Sequence, residues 1–351
     1  MDIETRLALI TGVGEEIVTE TELRELLEST SHPKAYDGFE PSGLAHVPFG
    51  LYRPLLLKDL LKAGVRFTLF LADWHAFLNR KMGGDMQAIR KVGDYFLEVW
   101  KAAGVDFSKV NVVWASELAA KREYWELVLQ IAHHTSVKRA TRALNIMGRK
   151  EGELLEVAQY FYPIMQTADI FALDVDFTQL GMDQRRANIL ARDVAPKLGR
   201  KKPVVVSHHM LLGLQGVKQP DPQANKMSKS LPASAVFVHD SPKEIQKKIA
   251  GAYCPMKETK DNPVLDYCKH IIFRAQKEFN ISRPKKFGGS LSFFSYEELE
   301  ASYRQGKLHP QDLKNATATA LDILVKPIRT HFEKPGPKKL LDFVNKQQIT
   351  R

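Results

Sequence analysis

Apolar and polar positions follow one another in blocks that predict strands separated by helices. Val65 to Ala72 is an apolar run bounded by a glycine and an aspartate, which is typical of a buried strand. We interpret Ile89 to Ala103 as a helix and Val110 to Ala115 as the next strand. Thr19-x-x-Glu22 resembles a capping box, and the leucines after it recur at helical spacing. The pattern therefore predicts an N-terminal helix followed by alternating strands and helices.

The remaining predicted elements extend this alternation. They are a strand over Lys34 to Gly38, a helix over Leu55 to Lys62, a helix over Gln184 to Leu198 and a strand over Pro203 to Ser207. Strands separated by helices form parallel βαβ units, so we predict an α/β fold with a Rossmann-like parallel sheet. After about residue 235 the pattern changes to amphipathic helical segments without a convincing strand. We therefore expect two domains, 1–235 and 236–351, with an all-helical second domain.

Composition adds a charge bias to this picture. The chain has 351 residues, 44% of them hydrophobic, and a formal net charge of +10, which favours a polyanionic partner although many basic proteins bind no nucleic acid. Cys254 and Cys268 form no disulfide framework, and no Cys/His set has zinc spacing. No signal peptide or apolar run of membrane-spanning length is visible. We expect a cytoplasmic protein.

Polar residues follow several predicted strands at their carboxyl ends. Tyr36 to Gly43 follows the first strand, Asp73 to His75 the second, Ser116 and Glu117 the third, and His208 with His209 a later one. Ligands of open α/β sheets bind outside these strand ends. We therefore expect the segments to converge on one active-site rim.

The turn Pro41 to His46 precedes a helix, whose N-terminus offers free N–H groups to an anion. Taken alone, it is more often a plain helix cap with a surface histidine.

A second candidate for phosphate chemistry lies at Lys226-Met227-Ser228-Lys229-Ser230. Two lysines three residues apart, with a serine between, suit a clamp on a polyphosphate. The alternative interpretation is an exposed basic loop. It is less favoured because these five residues lie downstream of a sheet that carries the His46 turn.

These motifs resemble the class I aminoacyl-tRNA synthetases, which carry a His-Ile-Gly-His-type turn and a Lys-Met-Ser-Lys-Ser loop. The resemblance is nearest to tyrosyl-tRNA synthetases of the archaeal and eukaryotic type and runs from about Tyr36 to Ile328. It rests on the segments 36–43, 71–79, 162–166, 181–185 and 308–315. The first motif departs from the family pattern, because Pro48 and Phe49 replace the usual glycine and second histidine. Pro48 suits a first helical turn, and Phe49 cannot donate a hydrogen bond to phosphate.

The resemblance implies a tyrosine pocket. Tyr36 and Asp169 are expected to bind the phenolic hydroxyl, and Tyr162, Gln166 and Gln184 the amino group. The walls are expected to include Phe70 and Ala72, with His75 near the pocket. Ordinary core packing is the competing interpretation for Tyr162 and the wall residues. For Asp169, the competing interpretation is a solvated acid on a helix surface.

The resemblance also implies tyrosine activation by ATP, with Mg²⁺ bound to ATP and pyrophosphate and no metal held by the protein. Catalysis is expected from His46, Lys226, Ser228 and Lys229. The expected ATP-binding residues are Gly43, His46, Lys226, Met227, Ser228, Lys229 and Ser230.

For tRNA(Tyr), the resemblance implies contacts from Arg185, Phe287, His309 and Asp312. It assigns 1–235 to catalysis and 236–351 to the anticodon, and it implies a homodimer formed through an inserted segment at about 116–152. A helix-start turn capped by Asp312 is an equally good interpretation of the segment around His309.

Two functional alternatives stay open: a tryptophanyl-tRNA synthetase, and a catalytically silent synthetase-like RNA-binding protein.

Overall fold

The computed structural model describes residues 1–148, 156–217 and 234–347. Its centre is a six-stranded sheet with the spatial order β1-β6-β5-β2-β3-β4. The strands are β1 Glu16–Val18, β2 Lys34–Phe39, β3 Arg66–Leu71, β4 Val110–Trp114, β5 Phe177–Thr178 and β6 Val204–Ser207. All neighbouring strands are parallel except β1, which pairs antiparallel with β6.

The strand order places a crevice beside β2. From β2 the chain adds β3 and β4 on one side, and β5 and β6 on the other. Successive connections therefore leave the sheet in opposite directions, and a crevice opens at the carboxyl ends of β2 and β5. The predicted Rossmann-like parallel sheet is confirmed, and the short antiparallel strand β1 is an addition to it.

Helices pack around this sheet and continue to the C-terminus. The α-helices span Ile3–Thr11, Glu20–Ser29, Arg53–Lys62, Asp73–Leu78, Met86–Ala102, Ala115–Ala119, Arg122–His133, Val137–Ala143, Phe161–Ala172, Arg185–Val194, Pro242–Ala250, Pro263–Tyr267, Phe273–Ala275, Tyr296–Arg304, Pro310–His331 and Pro335–Lys346. The predicted capping box is confirmed, because the backbone N–H of Glu22 donates to Thr19 Oγ1 at 3.2 Å and that of Thr19 donates to the Glu22 carboxylate at 3.0 Å. The predicted strands and helices of the first 207 residues are confirmed to within a few residues at their ends.

The C-terminal part is mainly helical, but the expectation that it lacks strands was wrong. Strands β7 Phe279–Ile281 and β8 Leu291–Phe293 form an antiparallel pair. Each has only three residues, which is too short for a period-of-two pattern to be recognised.

One apolar core runs from the first helix through the face of the sheet to the last helix. The domain boundary near 235 stays a prediction. Among the described residues, no helix is long and apolar enough to cross a membrane.

Candidate active site

A cavity of about 300 Å³ opens at the crevice beside β2. All eight residues predicted for the tyrosine pocket line it, together with His46: Tyr36, Phe70, Ala72, His75, Tyr162, Gln166, Asp169 and Gln184. They come from β2, β3 and the segments that follow the strands, and from the helix Phe161–Ala172. The sheet thus gathers residues that are as much as 148 positions apart, Tyr36 to Gln184, around one space.

Asp169 lies at the buried end of the cavity and is 1% exposed. The hydroxyl of Tyr124 donates to Asp169 Oδ1 at 2.7 Å, and His75 Nε2 lies 3.2 Å from Oδ2. Burial lowers the pKa of His75, but Asp169, together with the charges of Glu40 and Asp73, raises that pKa above its ordinary value. The carboxylate is therefore held in place from both sides, and a solvated surface acid is excluded.

The hydroxyl of Tyr36 is buried in the same region and makes no hydrogen bond within the described residues. Burial raises its pKa well above the ordinary value, and the charges of Asp169 and Asp37 raise it further. The ring meets Phe70 edge to face, with 6.2 Å between ring centroids. Tyr36 therefore presents a neutral hydroxyl that can donate to a ligand, beside a carboxylate that can accept.

Gln166 and Gln184, two predicted ligands of an amino group, contact each other. Gln166 Nε2 donates to Gln184 Oε1 at 3.1 Å, and Gln184 Nε2 donates to the carbonyl oxygen of Ile146 at 3.2 Å. The inserted helical segment thereby fixes the orientation of the pair.

Glu40 supplies a carboxylate close to these amides. Tyr162 donates its hydroxyl proton to Glu40 Oε1 at 2.7 Å, and Asn79 Nδ2 donates to both carboxylate oxygens at 3.0 and 3.1 Å. Lys81 Nζ lies 3.8 Å from Oε2. A negative charge and several oxygen acceptors thus border the cavity, and such groups can accept hydrogen bonds from a cationic ligand.

A buried ion pair supports β2 from the side of β5. Arg53 Nε donates to Asp37 Oδ2 at 2.7 Å, and Arg53 Nη2 donates to the carbonyl oxygen of Gln179 at 3.2 Å. Burial raises the pKa of Asp37 to about 6 in spite of Arg53, which lowers it. This pair was not predicted from the sequence.

The His46 turn is held by backbone pairing with residues that follow in sequence after 233. The N–H of Val47 donates to the carbonyl oxygen of Val236 at 2.8 Å, and the N–H of Val238 donates to that of Ala45 at 3.1 Å. Gly43 has a φ of +107° and no atom within 4 Å of the position a Cβ would take. The turn therefore leaves open space where a bulky ligand can approach the backbone.

Phe49 is a core residue. It is 5% exposed, and its ring packs on Phe96 and Trp100 with centroid distances of 4.2 and 5.8 Å. Trp100 Nε1 donates to the Phe49 carbonyl oxygen at 3.1 Å. Pro48 opens the π-helical turn Pro48–Tyr52, as its predicted place in a first turn requires.

The predicted lysine loop, with Lys226, Met227, Ser228, Lys229 and Ser230, lies outside the described residues. The described residues on either side of it are hydrogen-bonded, because the N–H of Leu214 donates to the Ser234 carbonyl oxygen at 3.0 Å. Met210 and Leu211 line the cavity. The chain therefore leaves for the lysine segment from the cavity rim.

The predicted tRNA-contacting residues do not line this cavity, although Arg185 directly follows the lining residue Gln184. Arg185 forms an ion pair with Glu16 at 2.7 Å, and Phe287 is 59% exposed. His309 caps the helix Pro310–His331, since its Nδ1 accepts from the N–H of Gln311 at 3.1 Å. The predicted helix start is thus confirmed, but its predicted cap, Asp312, was wrong, because His309 is the N-cap residue. The roles of Arg185, Phe287, His309 and Asp312 toward tRNA stay predictions.

Three residues of the site have roles that were not predicted from the sequence: Tyr124, Glu40 and Asp37. Tyr124 lies on the apolar face of the helix Arg122–His133. A tyrosine on such a face needs a partner for its hydroxyl, which was the available signal. Its partner Asp169 is 45 positions away, so the pattern alone did not reveal it.

Comparison with known proteins agrees with this geometry. The family model for class I tRNA synthetases (W and Y) matches residues 28–326. The chain is 44% identical over its whole length to a cytoplasmic tyrosine–tRNA ligase of Arabidopsis thaliana, covering 90% of that protein, and 45% identical to the tyrosine–tRNA ligase of Saccharolobus islandicus, with both chains fully covered.

Solved structures are similar over nearly the whole chain. The crystal structure of tyrosyl-tRNA synthetase from Pyrococcus horikoshii complexed with L-tyrosine has a TM-score of 0.90 and 43% identity, covering 97% of this chain and all of the other. Tyrosyl-tRNA synthetase from Aeropyrum pernix has a TM-score of 0.88 and 44% identity, covering 98% and 99%. A tryptophanyl-tRNA synthetase from Aeropyrum pernix, at 18% identity and a TM-score of 0.69, shares the fold. The chain belongs to the class I tRNA synthetases of the W and Y family, and is therefore an aminoacyl-tRNA ligase.

Proposed function

We propose that this enzyme is a tyrosine–tRNA ligase, which activates L-tyrosine with ATP and transfers it to tRNA(Tyr). The observation that supports tyrosine most directly is that both the Asp169 carboxylate and the Tyr36 hydroxyl line the cavity and are buried. Asp169 accepts from the phenolic hydroxyl, and the hydroxyl of Tyr36 donates to the phenolic oxygen. A phenylalanine side chain leaves both groups without a ligand partner, which costs binding free energy because they are buried. Rejection of phenylalanine on this basis is a known property of tyrosyl-tRNA synthetases in general.

The other end of the amino acid meets oxygen acceptors. Gln166, Gln184 and Tyr162 surround the ammonium group, and Glu40 balances its charge through the network with Asn79. This arrangement leaves the tyrosine carboxylate directed toward the His46 turn, where ATP binds.

In the first step, a tyrosine carboxylate oxygen attacks the α-phosphorus of ATP. The bond from the α-phosphorus to the bridging oxygen breaks, and pyrophosphate leaves with the bonding electrons. ATP enters as its Mg²⁺ complex, and the metal ion neutralises charge on the pyrophosphate. His46, Lys226, Ser228 and Lys229 donate to phosphate oxygens, and the open backbone at Gly43 lets the nucleotide approach. Met227 and Ser230 complete the contact with ATP.

In the second step, a ribose hydroxyl at the 3′ end of tRNA attacks the activated carbonyl, and AMP leaves. Both reactants bring their own reactive groups, so the protein acts by positioning and by stabilising charge. Phe287, His309 and Asp312 contact the anticodon from residues 236–351, while Arg185 contacts the acceptor stem. Arg283 supports this assignment, because its Nη1 donates to the carbonyl oxygen of Lys307 and thus joins the Phe287 loop to the His309 turn.

The proposal includes a homodimer formed through the inserted segment 116–152, and a cytoplasmic location. The Arabidopsis relative is a cytoplasmic tyrosine–tRNA ligase, which supports this location.

The deciding experiment is ATP–pyrophosphate exchange by the purified protein with tyrosine, phenylalanine or tryptophan as the only amino acid. We expect exchange with tyrosine and almost none with the other two. Preference for tryptophan would assign the enzyme to the other branch of the family. Absence of exchange with all three, with tRNA binding retained, would identify a silent RNA-binding protein.

A further inference from the structure

Three metal-ligating side chains converge at the junction between the sheet and the C-terminal helices. His209 follows β6, and Asp266 and His270 lie four residues apart on the helical segment Pro263–Ile272. One ligand atom from each of the three lies within 4.8 Å of the others. All three side chains are at most partly exposed. The three side chains come from two segments that are distant in sequence, and two of them are histidines, so the group differs from a cluster of surface acids.

The distances suit a small divalent ion. His209 Nε2 lies 2.8 Å and His270 Nε2 lies 3.6 Å from the same oxygen, Asp266 Oδ1. Ligand atoms on one tetrahedral zinc ion are separated by roughly 3.3 Å, because each lies about 2.0–2.2 Å from the metal. The two imidazole rings are stacked, with an interplanar angle of 13° and centroids 4.1 Å apart. Because zinc lies in the plane of each imidazole that binds it, one ring has to rotate out of the stack when the ion enters. The two distances to Asp266 Oδ1 change by about half an ångström or less.

Neighbouring groups hold two of the ligands in a suitable orientation. Glu15 Oε2 lies 2.7 Å from His209 Nδ1, the arrangement of carboxylate and histidine that accompanies metal-bound imidazoles. Asp266 Oδ2 accepts the N–H of Leu212 at 2.9 Å, so that Oδ1 is the oxygen directed at the imidazoles.

The cluster also borders a second cavity, of about 670 Å³, which Thr11, Asn262 and Glu300 help to line. His209 lies between this cavity and the catalytic one, since it lines both. None of the three residues is assigned to tyrosine, ATP or tRNA in the proposed reaction.

We propose that His209, Asp266 and His270 bind a zinc ion, with Glu15 as the supporting carboxylate. Two imidazoles and one carboxylate are a ligand set that zinc accepts, and water completes the coordination. The ion connects two parts of the chain. One is the segment after β6, which leads toward the lysine loop, and the other is the helix Pro263–Tyr267. His209 and Asp266 are 57 positions apart, which is why no zinc spacing is visible in the sequence. The proposal replaces the expectation that the protein holds no metal.

The test begins with the full chain after treatment with a chelator, titrated with Zn²⁺ and separately with Co²⁺, whose visible absorption reports a tetrahedral site. We expect one equivalent to bind and the thermal midpoint to rise with added Zn²⁺. The variants His270→Ala and His209→Asn should weaken zinc binding at least 10-fold, whereas His134→Ala, an exposed histidine elsewhere, should leave it unchanged.

Glu15→Gln keeps all three ligands, so it tests the proposal even where a ligand variant fails to fold. We expect it to weaken zinc binding by about 10- to 100-fold, the usual cost of losing such a partner. Circular dichroism establishes that each variant is folded. The proposal is overturned if the chelated native chain binds no stoichiometric zinc, or if His270→Ala binds it as tightly as the native chain. In that case the four side chains are an ion-pair junction only.

Discussion

The two ends of the catalytic cavity are built differently. At the tyrosine end, Asp169 is held by Tyr124 and His75, and the amides of Gln166 and Gln184 are joined to each other. At the phosphate end, backbone pairing holds the turn at His46, and the position after Pro48 is filled by an aromatic core residue. In the proposed reaction, selection of the amino acid therefore depends on preorganised buried polar groups, whereas charge stabilisation depends on few side chains.

The strongest test of this contrast removes a charge from the phosphate end. We expect Lys229→Ala to slow tyrosine-dependent pyrophosphate exchange by roughly 10²- to 10³-fold, because a donor to developing phosphate charge is lost. Tyrosine binding, measured by equilibrium dialysis, should change by less than about threefold, since the polar groups of the tyrosine end are intact. Lys202→Ala, an exposed lysine elsewhere, is the control. An unchanged exchange rate would contradict the proposed role of Lys229.

The matching test at the tyrosine end is Asp169→Asn, which keeps the size of the side chain and removes its charge. We expect kcat/KM for tyrosine to fall by about 10- to 100-fold, the range for one hydrogen bond to a buried charged group. Asp174→Asn, on an exposed carboxylate, should have no effect. If Asp169→Asn leaves kcat/KM unchanged, the phenolic hydroxyl is recognised elsewhere.

Phe49→His tests whether position 49 can supply a hydrogen-bond donor to phosphate or is required for packing. We expect the free energy of unfolding to fall by about 2 kcal/mol, because a polar ring replaces one packed on Phe96 and Trp100. Exchange should not become faster. Phe49→Leu, which stays apolar, should retain more stability in urea unfolding. A faster exchange rate in the histidine variant would mean that its ring reaches the phosphates.

The smallest expected effect concerns the support behind the His46 turn. The Tyr95 hydroxyl accepts from the N–H of Ala45 at 3.1 Å and donates to His239 Nε2 at 2.8 Å. Burial, followed by the charge of Arg329, lowers the pKa of His239 from 6.5 to about 4. Because the unfolded chain binds this proton more tightly, stability is complete above pH 6.5 and falls as the pH drops toward 4.

Between pH 7 and 5.5 this group should reduce the free energy of unfolding by about 1 kcal/mol. His239→Gln should remove that part of the pH dependence in urea unfolding, and His32→Gln, at an exposed site, should not. Equal slopes for the native chain and for His239→Gln would contradict the assignment.

Long and regular features were predictable from the sequence. The capping box at Thr19 and the apolar run that became β3 depend on neighbours within a few residues, and Pro48 was placed correctly by its local backbone preference. The rim of the site was predictable because parallel strands bring their carboxyl ends together.

Features that depend on distant partners were not predictable. Arg53 with Asp37, and Tyr124 with Asp169, are matched only after the sheet has formed. The strands β7 and β8 are too short to show a period, and β1 pairs with a strand almost 190 positions later in the chain. A single sequence contains no local signal for such pairs.

The backbone pairing of Val47 with Val236 also fixes the chain beside the His46 turn at a point shortly after the predicted lysine loop. In the sequence, Lys229 precedes Val236 by only seven residues. In the proposed reaction, such a short connection gives the lysine a high effective concentration at the nucleotide. An enzyme cut between these two residues would lose that advantage even if every side chain were retained.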